Sequence, residues 1–169
     1  GYYLSTLIAT LLICYVAMGV CFIYIGFTGW YMTASDVLFI MLDIFLLSLI
    51  GTSLSSIINM FLSTQGQISA VGTVVSAGYG FICGAYMPIS QFSGGLQKVL
   101  SFLPGTYGTS LLRNHALHGV FEEMGDVGFT DEVVEAIKDS IDCNLYFFDD
   151  KVEVGTMYAI LIVTVVMLI

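Results

Sequence analysis

Residues 43–98 read DIFLLSLIGTSLSSIINMFLSTQGQISAVGTVVSAGYGFICGAYMPISQFSGGLQK, with Asp43 and Lys98 at the two ends and no charged side chain between them. A second charge-free stretch runs from Gly1 to Ser35. Water-soluble domains rarely go so far without a charge, whereas apolar runs of about 20 helical residues are what crosses a hydrocarbon core of roughly 30 Å. The chain therefore reads as an integral membrane protein, an all-α polytopic transmembrane helical bundle.

Working outward from that stretch, the second apolar segment runs from about Val37 to Leu62, and the third from about Ile68 to Met87, stopped by Pro88. The turn between them, Ser63-Thr64-Gln65-Gly66-Gln67, is short enough to make an antiparallel helical hairpin. Before it, about Tyr2–Phe27 form a first segment that ends at Trp30 and Tyr31, aromatic side chains suited to a membrane–water boundary. A fourth, Gly155–Ile169, is too short to span as it stands. Gly1 is not an initiator methionine and no basic stretch precedes the first segment, so a signal peptide is not expected. Both ends read as truncations, and the chain as the interior of a longer protein. By parity, the loop near Trp30 and the long 89–154 region share one side of the membrane, and the Gln65 turn lies on the other.

Composition agrees: 57% of residues are hydrophobic and 10% charged, against roughly 25% charged in soluble domains. The net charge of −9 is local, because only Asp36 and Asp43 of the 13 acidic residues lie outside residues 122–153. That stretch holds two of the four basic residues, Lys138 and Lys151, while Lys98 and Arg113 balance Asp36 and Asp43. The protein is a neutral apolar body with one acidic appendage. With no basic cluster, nucleic-acid binding is not expected. The four lysines and arginines weakly favour a cytoplasmic 89–154 region, but loops of that length escape the positive-inside rule, and orientation stays open.

Residues 89–118 are more than a loop. Gly94–Leu103 is apolar on one face and ends at Pro104-Gly105, and Tyr107–His118 is again half apolar, with Arg113, His115 and His118. Two short amphipathic pieces broken at Pro-Gly suggest a partly inserted hairpin at the interface. Thr130-Asp131-Glu132 then opens a surface helix to about Ile141, with Thr130 as its N-cap.

Several side-chain patterns allow a structural and a functional reading. Gly72, Ser76, Gly80 and Gly84 recur every four residues in the third segment, a ladder that lets another helix approach closely or that lines a pathway. Ser48, Thr52, Ser55, Ser56, Asn59 and Ser63 form a polar stripe on the second segment, suited to interhelical hydrogen bonds or to the wall of a substrate route. Asp43 lies on the opposite face and about two turns deeper than Asp36, where an unpaired carboxylate is costly. It needs a structural partner, a proton, or a role in contacting a cation. His115 and His118, three apart, read as an ordinary interfacial pair. Cys14, Cys21, Cys83 and Cys143 show no CxxC or Cys/His spacing, so no metal is expected, although Cys143 could pair with a partner. Glu122-Glu123 lacks the arginine of an intramembrane protease motif. No GxxxxGK[ST] occurs, so the chain does not bind ATP through a P-loop, and no nucleophile set suggests an enzyme.

The order of features from the second segment onward resembles the membrane domain of type-2 ABC exporters. The residues that carry this are Ile50-Gly51-Thr52-Ser53-Leu54, the turn at Ser63–Gln67, and Phe81–Ser90, similar to that family's F-x-x-G-x-x-x-P ending. Leu96-Gln97, Leu103-Pro104-Gly105-Thr106-Tyr107 and Leu111-Leu112-Arg113 follow in order. The resemblance implies that residues 1–169 are part of one permease domain, with its four segments (2–27, 37–62, 68–87 and 155–169) as the third to sixth of six spans. It implies a re-entrant helical hairpin at 89–118, in which Pro88, Gly94, Gly95, Pro104, Gly105 and Arg113 stand at breaks and turns. It also implies an extracellular acidic loop at 119–154, longer than the family's usual link, and a multi-pass location in the plasma membrane. The expected partners are the lipid bilayer, an ABC ATPase subunit that holds ATP and Mg, and a second permease domain in a homo- or heterodimer. Function would be export of a lipophilic or drug-like substrate by alternating access, with Ser48, Thr52, Ser55, Ser56, Asn59 and Asp43 along the route. The competing readings are half of an ion-coupled secondary transporter that uses Asp43, and a structural membrane subunit.

Overall fold

The computed structural model describes residues 1–148 and 150–169. Seven α-helices appear among them: α1 (Tyr2–Thr28), α2 (Ala34–Asn59), α3 (Gln65–Ile82), α4 (Gly94–Leu100), α5 (Pro104–Asp126), α6 (Asp131–Ser140) and α7 (Val154–Leu168). A single 3-10 turn covers Ile89–Gln91, and β1 (Tyr146–Phe147) pairs antiparallel with β2 (Asp150–Lys151).

Helices α1 and α2, with 27 and 26 residues, are long and apolar enough to cross a membrane. At 1.5 Å per residue each is about 40 Å long. They form a hairpin across Gly29–Thr33, where Gly29 takes a φ of 148° that a side chain would resist. Thr33 then caps α2 reciprocally: its hydroxyl accepts from the Asp36 N–H (3.3 Å), and the Asp36 carboxylate accepts from the Thr33 N–H (2.8 Å). Thr64 and Gln67 make the same box at the start of α3. Thr130 stands at the N-cap position of α6, but its side chain makes no capping bond.

The core forms where α2, α5 and α7 meet. Leu46 and Ile50 of α2 pack with Tyr107 and Leu111 of α5, Met157 and Leu161 of α7, and Leu145. Helix α1 covers another side of α2, tied by the Tyr3 hydroxyl to Ser53 (2.9 Å). Two glycines let α5 come close. At Gly108 an added Cβ would strike the Leu47 side chain, and at Gly119 it would fall on the backbone carbonyl of Tyr31.

Three boundaries differ from the sequence reading. The third helix stops at Ile82, not Met87, because Gly84 turns the chain with a φ of 79° before Pro88 is reached. The 89–118 region is not two short pieces: Pro104 sits in the first turn of α5, where its missing N–H costs nothing, and that helix continues to Asp126. The acidic stretch therefore begins as helix, with Glu122, Glu123 and Asp126 on α5, rather than as a loop from residue 119. Helix α3 buries no residue, and its two glutamines and many small polar residues leave it less apolar than α1 and α2.

The small-residue ladder has few neighbours within this chain. Gly72 has nothing nearby for an added Cβ to meet, Ser76 is exposed, the Tyr86 ring fills the space beside Gly80, and Gly84 lies beyond the helix. Among the described residues, no helix stands within reach of a Cβ at Gly72, and the nearest atoms at Gly80 belong to Tyr86, outside any helix.

At the acidic end, Glu135 of α6 accepts from Lys138 (3.2 Å), Asn144 (2.9 Å) and Lys151 (3.2 Å). These bonds hold its carboxyl down at about 2, against an ordinary 4.5. Because the folded value is depressed, the contribution is complete above pH 4.5 and is lost as pH falls through about 2. The side chain is half exposed, so solvent screens the effect. Hydrogen-exchange protection of residues 131–147, corrected for intrinsic rate, is expected to drop across that window, and Glu135→Gln to flatten the drop. An unchanged profile in the variant would show that other carboxylates govern it.

Candidate functional site

Helices α1, α2 and α5 leave a groove of about 730 Å³ between them. Three members of the polar stripe, Ser48, Thr52 and Ser55, line it on α2, together with Thr6, Thr10, Cys14 and Cys21 of α1. The remaining walls are apolar, including Phe22, Ile40, Ile44, Leu47, Leu112 and Ala116. Ser48 donates to the Cys14 sulfur at 3.9 Å. Ser56 and Asn59 do not line the groove; both are half-buried farther along α2.

Asp43 faces the other way, into the contact of α2 with α5 and α7, and is 0% exposed. One carboxylate oxygen lies 2.7 Å from Nδ1 of His115, and the other accepts from the Tyr158 hydroxyl at 2.7 Å. The Phe39 ring stacks on His115 with centroids 4.9 Å apart. Both oxygens are thus engaged and screened from the groove, which removes Asp43 from the wall of any route there. About one turn further along α5 and two turns back along α2, Nδ1 of His118 stands 3.4 Å from the buried Asp36. The two acids of α2 and the two histidines of α5 pair off in antiparallel register.

A second polar knot fixes the hairpin. Asp142, 4% exposed and in left-handed backbone conformation (φ 57°), accepts from the N–H groups of Ile89 and Ser90. It also stands 3.5 Å from Arg113, which donates to the Gly84 carbonyl. Ser110 and Asn114 donate to the Cys143 carbonyl. Cys143 itself is buried, and burial pushes its thiol up to about 11, so it is not a surface group offered to a partner. Of the other hairpin residues, Gly94 and Gly95 open α4 with free space around them, and Gly105 sits against Cys83 and Tyr79. Pro88 precedes the 3-10 turn. His115, His118, Tyr158 and Asp142 were not singled out as structural partners from the sequence. The one available signal was that two isolated acids and two isolated histidines sit in a body whose only other charges are Lys98 and Arg113.

The α1–α2 loop and the far end of α5 lie together, since Tyr31, Val120, Glu123, Met124 and Phe129 line one small pocket. The helices that build the groove are also those matched by a family model, described as ABC-2 type transporter, over residues 2–116. The chain belongs to the ABC-2 type transporter family. It is the membrane permease part of such a transporter, a polytopic membrane protein, and not an enzyme in its own right. In ABC transporters generally, ATP is held by a partner ATPase. No curated protein and no solved structure matches the chain. The match ends one residue after His115, so α6, Asp142 itself and α7 with Tyr158 lie beyond it, while Asp142's partners Ile89, Ser90 and Arg113 lie within it.

Proposed function

We propose that this ABC-2 permease chain belongs to an ATP-driven exporter that moves lipophilic, drug-like substrate out of the cell by alternating access. Family membership carries this reading, and the groove gives it a place for substrate: Ser48, Thr52 and Ser55 stand in an apolar wall at the face the sequence marked as polar. In this proposal α1, α2, α3 and α7 are the third to sixth spans. The segment from Pro88 through α4 and the first part of α5 is the re-entrant hairpin, and the acidic region from the end of α5 to Glu153 is extracellular. The close approach of the Tyr31 loop to the end of α5 supports that shared side. A second permease domain, in a homo- or heterodimer, faces this one, and the open small-residue face of α3 at Gly72 and Ser76 suits such close packing. ATP binding by the partner ATPase drives the change only through different affinities for the inward and outward states.

Purification of the full-length parent protein from its native membrane tests this. A stoichiometric P-loop subunit, vanadate-sensitive ATP hydrolysis in liposomes and ATP-dependent movement of a lipophilic dye are expected. No nucleotide-binding partner under gentle detergent, or transport that ignores ATP depletion and collapses with an ion gradient, overturns it.

A further inference from the structure

Among the described residues two helix threonines are buried; Thr106 donates to the Leu100 carbonyl at 2.9 Å, and Thr52 is the exception. Thr6, Thr73 and Thr164 each donate to the carbonyl four residues back, at 3.0, 2.9 and 2.7 Å, the usual way a helix threonine satisfies itself in an apolar setting. Thr52 is 4% exposed, and its hydroxyl has no partner at all. A buried unpaired hydroxyl is costly, and it stands out as a group waiting for a partner. Thr52 stands in the wall of the α1–α2–α5 groove, between Ser48 and Ser55; its hydroxyl oxygen is itself closed off from solvent, so a ligand meets it through a turn of χ1 between the staggered positions open to a helix threonine. Beside it Gly51, also in the wall, has nothing within 4 Å of where a Cβ would stand, so a ligand can lie against the helix backbone there.

We infer that this groove binds a neutral lipophilic small molecule that makes one hydrogen bond to Thr52. Its volume of about 730 Å³ falls in the range of small-molecule pockets, roughly 300–1,000 Å³. None of its lining residues is Asp, Glu, Lys, Arg or His. A charged ligand would leave water for an apolar wall with nothing to compensate it. A lipid acyl chain would fill the same walls but leave the Thr52 hydroxyl unpaired. The site deepens the export reading, on which its role as a substrate site rests; binding itself does not depend on that reading.

The test is equilibrium binding of Nile red, a neutral dye with a carbonyl acceptor, to the full-length protein with its ATPase in lipid nanodiscs, read against empty nanodiscs. Saturable binding is expected, weakened roughly fivefold by the near-isosteric Thr52→Val and restored by Thr52→Ser. Gly51→Phe, which enters open space and keeps the helix, is expected to abolish it. Rhodamine 6G, a permanent cation of similar size, is expected not to displace the dye. Absence of saturable binding, equal affinity in Thr52→Val (the behaviour of simple chain packing), survival of binding in Gly51→Phe, or displacement by the cation each overturns the proposal. Thr52-dependent binding without ATP-dependent movement of Nile red sinks the export reading and leaves the site standing. ATP-driven movement untouched by both substitutions does the reverse.

Discussion

Asp43→Ala is expected to destabilise the membrane body by about 3–5 kcal/mol, because it leaves two hydrogen-bonding side chains without their shared partner at roughly 1–3 kcal/mol each. The loss has two parts. His115 and the Tyr158 hydroxyl each lose their acceptor at 2.7 Å, and the space that Asp43 leaves, 0% exposed where α2, α5 and α7 meet, offers neither a replacement on that side. Asp43→Asn keeps one carbonyl oxygen for one of the two donors and should cost less than half as much. The measurement is thermal unfolding of the purified transporter in nanodiscs, with a double-mutant cycle. In the Asp43→Ala background, His115→Ala and Tyr158→Phe should add far less than they cost alone. Full additivity would mean that the three side chains do not act as one cluster.

Asp142→Ala is the second large effect, again about 3–5 kcal/mol, but its damage is elsewhere. One carboxylate holds the N–H groups of Ile89 and Ser90 and balances Arg113, so three groups lose it together: the buried Ile89 N–H is left without an acceptor, and Arg113 keeps only the Gly84 carbonyl. Asp142→Asn separates charge from backbone, since asparagine tolerates the same left-handed conformation and keeps a carbonyl acceptor. Hydrogen exchange at Ile89 and Ser90 is expected to rise strongly in the alanine variant and only modestly in the asparagine one. Arg113→Lys should give a milder loss, since a lysine cannot span both Asp142 and the Gly84 carbonyl with a planar fork. Retained protection of Ile89 in Asp142→Ala would show that the hairpin is held by its apolar contacts alone.

What could be read from the sequence was polarity along the chain. The charge-free runs mark α1 and α2 because a membrane core selects for composition over a fixed length. The stripe on α2 is legible for the same reason: Ser48, Thr52 and Ser55 stand apart from their apolar neighbours at helical spacing, and three of them meet in one groove. Backbone direction was less legible. The apolar run continues past Ile82 while the helix does not, since hydropathy does not register the turn that Gly84 makes. Conversely, charge at Glu122 and Glu123 suggests a loop, yet charges do not stop a helix, and α5 carries both. Least legible were the polar clusters. Asp43 meets residues 72 and 115 positions away, and Asp142 meets backbone groups 53 and 52 positions away. No local pattern encodes such pairings, because each residue alone looks like a stray polar group in an apolar chain.

Helix α5 begins against Cys83 and Tyr79, passes the Asp43 cluster at His115, and ends among the acidic residues at Asp126 without interruption. An unbroken helix behaves as a rod on the scale of a few turns, so its two ends do not report independent events. A spin label or fluorophore at the exposed Glu123, about 12 Å along the axis from His115, is therefore a remote gauge of the buried cluster, readable from water without touching the interior.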